Sequence, residues 1–259
     1  MLTFVGLGLY DEQSITIEGR EALQAASTVF AEFYTSRLVG ATASELASYH
    51  DIDLQVLDRA TVERDPGEIL DAAEDDDAVF VTAGDTMVST THVDLRLRAE
   101  RRGIETRVIH GTTAQTAAGS LTGLQNYRFG KATTLPFEDA HGGEGVPDSV
   151  VETITDNRSR GLHTLVYLDI KIDDPHWDGT ETFMTADHAA GHLATEFPDA
   201  LGVAVARAGS PEPVVEADTL DALAADGFGD PLHLLVVPGD LHEMERDALR
   251  HLAGAPISR

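Results

Sequence analysis

The feature that most constrains this chain is a rhythm in its N-terminal half, where short apolar runs alternate with segments of helical spacing. Ala78-Val-Phe-Val-Thr82 shows the type of run. It is apolar at successive positions, as in a strand covered on both faces. Leu2–Gly6 and the stretches 28–33, 54–57 and 105–109 read as further strands. Between them, residues 18–26 place Ala22, Leu23 and Ala26 on one side of a helix,. Residues 42–49 read as a short helix, and Pro66 suits the first turn of another that runs to Glu74,. Residues 90–102 form the next helix, stopped by Gly103, and 112–121 a helix of small residues,. The alternation predicts an α/β fold with a mainly parallel sheet.

The second half repeats the pattern less regularly. Strands are expected at 132–135, 164–168, 202–207, 214–216 and 232–237, and helices at 148–160, 186–196, 220–225 and 241–253. Gly123, Asn126 and Gly130 mark residues 122–130 as a crossover, which divides the chain into expected domains 1–121 and 122–259. Residues 138–147, rich in glycine and acids, read as an exposed loop.

Composition narrows the function classes. With 259 residues and 42% hydrophobic content, the chain can bury a full-sized core,. Its 45 acidic residues against 18 basic ones give a formal charge of -27, which repels phosphate backbones and argues against broad nucleic-acid binding,. The acids are spread between ordinary hydrophobic runs, so the charge points to adaptation to high salt rather than to disorder,. There is no cysteine, which removes disulfides, thiolate metal sites and a Cys nucleophile,. The start does not read as a signal peptide, and no apolar run nears the ~18 residues of a membrane helix. The expected location is cytoplasmic.

The first strand ends in Gly6-Leu-Gly-Leu-Tyr-Asp11. A GxG here permits close backbone approach to a ligand. Tyr10-Asp11 replaces the third glycine of a dinucleotide fingerprint, and no GxxxxGK[ST] is present,. By itself the GxG is equally a tight turn. Asp85, in Thr82-Ala-Gly-Asp-Thr-Met-Val88, follows a buried strand at the end where open α/β sheets bind ligands,. It could bind a ribose or amino group, or cap the next helix. His188 and His192 lack the intervening Glu of a zinc motif, and His242-Glu243 has Arg246 where the second His would stand,. Surface or capping roles fit these histidines better than metal ligation. No serine lies in a G-x-S-x-G elbow,.

A set of segments in chain order carries a closer likeness: Phe4-Val-Gly-Leu-Gly-Leu-Tyr-Asp11, Phe30-Ala-Glu-Phe-Tyr-Thr-Ser36, Thr90-Thr-His-Val-Asp94, Gly123-Leu124, Gly161-Leu-His-Thr-Leu165, Leu168-Asp-Ile-Lys171, Ala206-Arg-Ala-Gly-Ser210, Phe228-Gly-Asp-Pro231 and Val237-Pro-Gly239. The chain thereby resembles the diphthine synthase family, within the tetrapyrrole-methylase-like methyltransferases. The AEFYTS and LDIK segments are specific to that family; the GxG is not. The resemblance implies two α/β domains with S-adenosylmethionine in the cleft between them, S-adenosylhomocysteine as product, and a homodimer. It implies methylation of the amino group of a modified histidine on translation elongation factor 2, a step towards diphthamide. The cofactor contacts it implies are Leu9, Asp85, Val88, Thr113, Ala114, Leu168, Ala208 and His233. Thr86 stands where the family often has Pro, and His110-Gly-Thr-Thr113 where it often has His-Ala-Pro-Ser.

Such chemistry needs alignment more than acid–base groups, so no conspicuous catalytic base is expected. A quaternary ammonium product would favour aromatic faces, with Tyr10, Phe33 and Tyr34 as candidates beside Glu32,. Core packing competes for Phe33. Arg37, Arg128, Lys131 and Lys171 are candidate contacts to the partner protein, or ordinary surface cations,. A tetrapyrrole or ribosomal RNA methyltransferase, or a non-catalytic binding protein of the same fold, remains the alternative.

Overall fold

The computed structural model describes residues 1–140, 145–171 and 181–257. These form two compact units, the first made of residues 1–113 and the second of the described residues from Ala114 onward.

In the first unit the elements alternate as β1 (Leu2–Gly6), α1 (Ile17–Ala25), β2 (Thr28–Glu32), α2 (Ala43–His50), β3 (Leu54–Val56), α3 (Gly67–Asp75), β4 (Ala78–Thr82), α4 (Val93–Arg101) and β5 (Thr106–Ile109). The strands lie in the order β3-β2-β4-β1-β5, and every pairing is parallel. Burial explains the continuous apolar runs. Val5, Val29, Ala31, Val79 and Val81 pack on one face with Leu23 of α1 and Leu46 of α2. Phe4, Phe30 and Phe80 are in register on the alternate positions and are also buried. The helices start where the sequence supplies caps. Thr42 accepts from the backbone of Glu45, whose side chain returns the bond, at the start of α2,. Pro66 stands at the N-cap of α3, one place before the first turn. A π-helical turn, Ala60–Arg64, was not evident in the sequence.

The second unit contains α5 (Ala114–Thr122), β6 (Thr133–Leu135), α6 (Asp148–Ser159), β7 (Thr164–Leu168), β8 (Ile170–Lys171), β9 (Thr182–Phe183), α7 (Ala186–Ala194), β10 (Leu201–Ala206), β11 (Val214–Thr219), α8 (Leu220–Leu223), β12 (His233–Val237) and α9 (Glu243–Leu252). Its main sheet has the order β11-β10-β12-β7-β6. Only β6 and β7 pair in parallel; the other pairings are antiparallel. Alternate residues serve two cores. Val166, Ala204 and Leu235 face Ile154, Leu193 and Leu223, while Leu165, Val203 and Val236 face Ala118 and Leu249. Because Ala118 and Leu124 belong to this second core, α5 sits in the second unit. The expected boundary after residue 121 instead assigns this helix to the first domain. Residues 141–144 of the expected 138–147 loop lie outside the described residues.

Candidate functional site

In the first unit, glycines bring together the loops that leave the carboxyl ends of β1, β4 and β5, at the edge where parallel α/β sheets hold ligands. Gly8 N–H donates to Gly84 O at 3.2 Å, and Gly84 N–H returns a bond to Gly8 O at 2.6 Å. A Cβ on Gly6 would lie 2.5 Å from both Gly111 N and Gly84 O, so no larger residue fits without moving a loop. Gly84 needs glycine for a different reason. Its φ is +74°, and nothing lies within 4 Å of where its Cβ would stand,. One face of this backbone is therefore open, as a close-lying ligand requires. Leu9 is half-buried and Val88 exposed beside this rim, with Thr113 buried at its end.

Asp85 is buried and fully engaged. Its Oδ1 accepts from Met87 N at 2.9 Å. Its Oδ2 accepts from Gly111 N at 3.2 Å and faces His110 Nδ1 at 2.8 Å. It caps no helix, since α4 begins at Val93. The carboxylate ties the loop after β4 to the loop after β5, and so shapes the rim.

The remaining sequence-predicted residues lie in the second unit. Ala114 opens α5, Leu168 ends β7, Ala208 follows β10 and His233 opens β12. Arg207 and Gly209 flank Ala208 in left-handed conformation, with φ of 52° and 92°. The Arg207 guanidinium fixes this turn by donating to Phe228 O at 2.7 Å and Asp230 O at 3.0 Å. His233 has both nitrogens committed: Nε2–H donates to Asp230 O at 2.9 Å, and Nδ1 accepts from Ala186 N at 3.1 Å. Burial pushes its pKa below the ordinary histidine value,. Only its backbone and ring edge remain for a ligand.

The aromatic candidates for an ammonium pocket are occupied otherwise. Tyr34 is buried at 2% exposure, with the Arg59 guanidinium 5.0 Å over its ring. Phe33 packs against the first core, as the core alternative anticipated, and the Tyr10 ring fills the space beside Gly40. Of the cations, Arg128 donates to Gly161 O and Asp240 O, and Lys171 lies 4.6 Å from the Phe137 ring centre. Arg37 is half-buried and Lys131 exposed. His242 caps α9 through a reciprocal bond pair with Glu245. The His188 and His192 rings lie tilted with centres 4.5 Å apart, and no group of three or more potential metal ligands occurs among the described residues.

Sequence reasoning missed a buried polar chain behind the rim. Glu32, at the end of β2, accepts from Tyr34 N at 2.9 Å and Thr35 N at 3.0 Å, and also from the Thr35 hydroxyl. Its Oε1 lies 3.4 Å from His92 Nε2. His92 Nδ1 in turn faces Thr86 O at 3.2 Å, next to Asp85. The signal was an acid inside the AEFYTS segment and a histidine inside TTHVD, but 60 positions separate them.

Residues 1–224 match the family model described as Tetrapyrrole (Corrin/Porphyrin) Methylases. A curated diphthine synthase from Haloarcula marismortui is 68% identical over 258 residues, covering 99% of this chain and 100% of that protein. One from Natronomonas pharaonis is 69% identical over 265 residues, covering 100% and 98%. A crystal structure of diphthine synthase superposes with a TM-score of 0.87 at 39% identity, covering 98% of this chain and 96% of its own. The chain belongs to the diphthine synthase family, methyltransferases of the tetrapyrrole methylase class.

Proposed function

We propose that this protein transfers methyl groups from S-adenosylmethionine to the amino group of the modified histidine, 3-amino-3-carboxypropyl-histidine, of translation elongation factor 2, in diphthamide biosynthesis. The observation that carries the reading is full-length identity of 68% to a diphthine synthase, joined to an open, glycine-built rim at the carboxyl edge of a parallel sheet. When bound, S-adenosylmethionine supplies an electrophilic methyl carbon and leaves as S-adenosylhomocysteine.

The proposed donor contacts are Leu9, Asp85, Val88 and Thr113 from the first unit and Ala114, Leu168, Ala208 and His233 from the second. The residues present fit such a group. Gly84 exposes backbone, Val88 and Leu9 offer apolar surface, and Asp85 and His233 hold their loops in place rather than presenting free polar atoms. The chain's task is alignment of the acceptor nitrogen with the methyl carbon, which can supply several kcal/mol. The acceptor amine must be neutral, and partial burial acts in that direction by lowering an amine's pKa. No side chain is required to protonate the leaving thioether.

The charge of -27 and the relatives from Haloarcula and Natronomonas support work at high salt. No helix among the described residues is long and apolar enough to cross a membrane. The reading includes a cytoplasmic homodimer. Incubation with methyl-labelled S-adenosylmethionine and the cognate factor carrying the precursor side chain tests it. Label on that histidine is expected; a fully folded enzyme that leaves the factor unlabelled would overturn the reading.

A further inference from the structure

We propose that Glu32 and His92 hold one shared proton, with Glu32 as the neutral acid donating from Oε1 to His92 Nε2, and that this pair positions the Gly84–Val88 turn for methyl-donor binding. His92 Nδ1 faces the carbonyl of Thr86, which can only accept, so Nδ1 carries the hydrogen,. In a neutral ring Nε2 then bears a lone pair. Glu32 Oε1 lies 3.4 Å from Nε2, and Nε2 has no other polar partner among the described residues. An ionised Glu32 facing a neutral His92 would set two acceptors against each other. The pair therefore binds one proton more than that state.

The surroundings decide where the proton rests. Glu32 and His92 are 0% and 1% exposed. Burial raises the carboxyl pKa, against the opposing pull of Thr35, Tyr34 and Arg59. Burial likewise lowers the imidazole to about 4, against Thr86 and Glu63. The Phe80 ring stands edge-on to the imidazole, with ring centres 5.1 Å apart. Both directions favour the uncharged pair, neutral acid beside neutral imidazole.

The bond reaches the rim through two loops. On one side Glu32 Oε2 gathers the amides of Tyr34 and Thr35. On the other, His92 holds the Thr86 carbonyl, to which the Thr90 hydroxyl also donates at 2.6 Å. Thr86 directly follows Asp85, so the chain ends at the turn that carries the proposed donor contacts Asp85 and Val88. Glu32 and His92 are thus positioning residues, and this role rests on the proposed donor site.

Isosteric substitution separates the possibilities. In Glu32→Gln the amide oxygen can take the two backbone N–H groups while its NH2 donates to Nε2 and to the Thr35 hydroxyl, which turns from donor to acceptor, so the variant mimics the neutral acid at every pH,. Nitrogen-15 spectra of histidine-labelled protein in molar KCl, with His92 assigned by its absence in His92→Gln, should show a neutral ring protonated at Nδ1 at neutral pH, in wild type and in E32Q alike. Calorimetric affinity for S-adenosylhomocysteine should stay within about twofold in E32Q and fall about tenfold in E32A, the cost of a buried partner lost. Where methyl transfer is measured, E32A should raise the donor KM more than it lowers kcat, provided its circular dichroism matches wild type. An imidazolium signature for His92 at neutral pH, or E32Q behaving like E32A, overturns the proposal. The spectra require no turnover, so a failure to methylate the elongation factor would strike the proposed function and leave the proton assignment to its own result.

Discussion

Gly6→Ala probes the rim at its tightest point. The added methyl would stand 2.5 Å from Gly111 N and 2.5 Å from Gly84 O, with Gly111 Cα at 2.8 Å. All three are backbone atoms of two different loops, so no side-chain rotation relieves the contact. The loops after β4 and β5 must separate by roughly 1 Å to reach ordinary contact distance. That motion stretches the Asp85–Gly111 bond, already 3.2 Å long. Overpacking of this kind costs about 1–3 kcal/mol. For a chain of this size the melting temperature should fall by about 2–10 °C. Affinity for S-adenosylhomocysteine should fall at least about tenfold, because the open face at Gly84 shifts with the loop. Differential scanning calorimetry and isothermal titration in molar KCl read both effects. A G6A protein that melts and binds like wild type would refute the claim that glycine at this position sets the spacing of the rim.

Other outcomes follow from the same geometry. Asp85→Asn leaves an amide N–H2 facing a donor, which should cost about 1–3 kcal/mol and weaken donor binding, read by denaturant titration and calorimetry. His92 has a folded pKa of about 4 against an ordinary 6.5. As pH falls below 6.5 the unfolded chain takes up a proton that the folded one refuses, so the contribution of His92 to stability is full above that value and is lost towards about pH 4. The loss is about 3 kcal/mol by linkage and should be absent in His92→Gln, as chemical denaturation across pH will show. Dialysis from molar KCl into low salt should unfold the chain, because a charge of -27 is no longer screened at a Debye length of roughly 3 Å,. Retained ellipticity at low salt would remove the high-salt reading.

Much of the first unit was legible in the sequence because burial on both faces writes itself into residue type. Ala78–Thr82 is apolar at every position but the last, and each of its neighbours in the sheet reads similarly. The second sheet was legible as strands but not as a topology. Val203, Val205, Val236 and Leu235 show that both faces are covered, yet apolar runs do not encode whether partners run parallel or antiparallel. The π-helical turn at Ala60–Arg64 has no composition cue, and β8 and β9 are too short for periodicity. At the rim, Asp85 was visible as a residue, but its three partners come from positions 87, 110 and 111 and emerge only with the fold. Tyr34 illustrates the opposite error. An aromatic ring in a family-specific segment looked available to a ligand, and Arg59 covers its face instead.

The most direct test of the account is titration of the folded protein with S-adenosylmethionine and S-adenosylhomocysteine by calorimetry in molar KCl. Saturable binding of both is expected, with a raised melting temperature from either and both effects weakened in Gly6→Ala. No heat and no stabilisation from either compound, in a sample whose spectra show native structure, would contradict it.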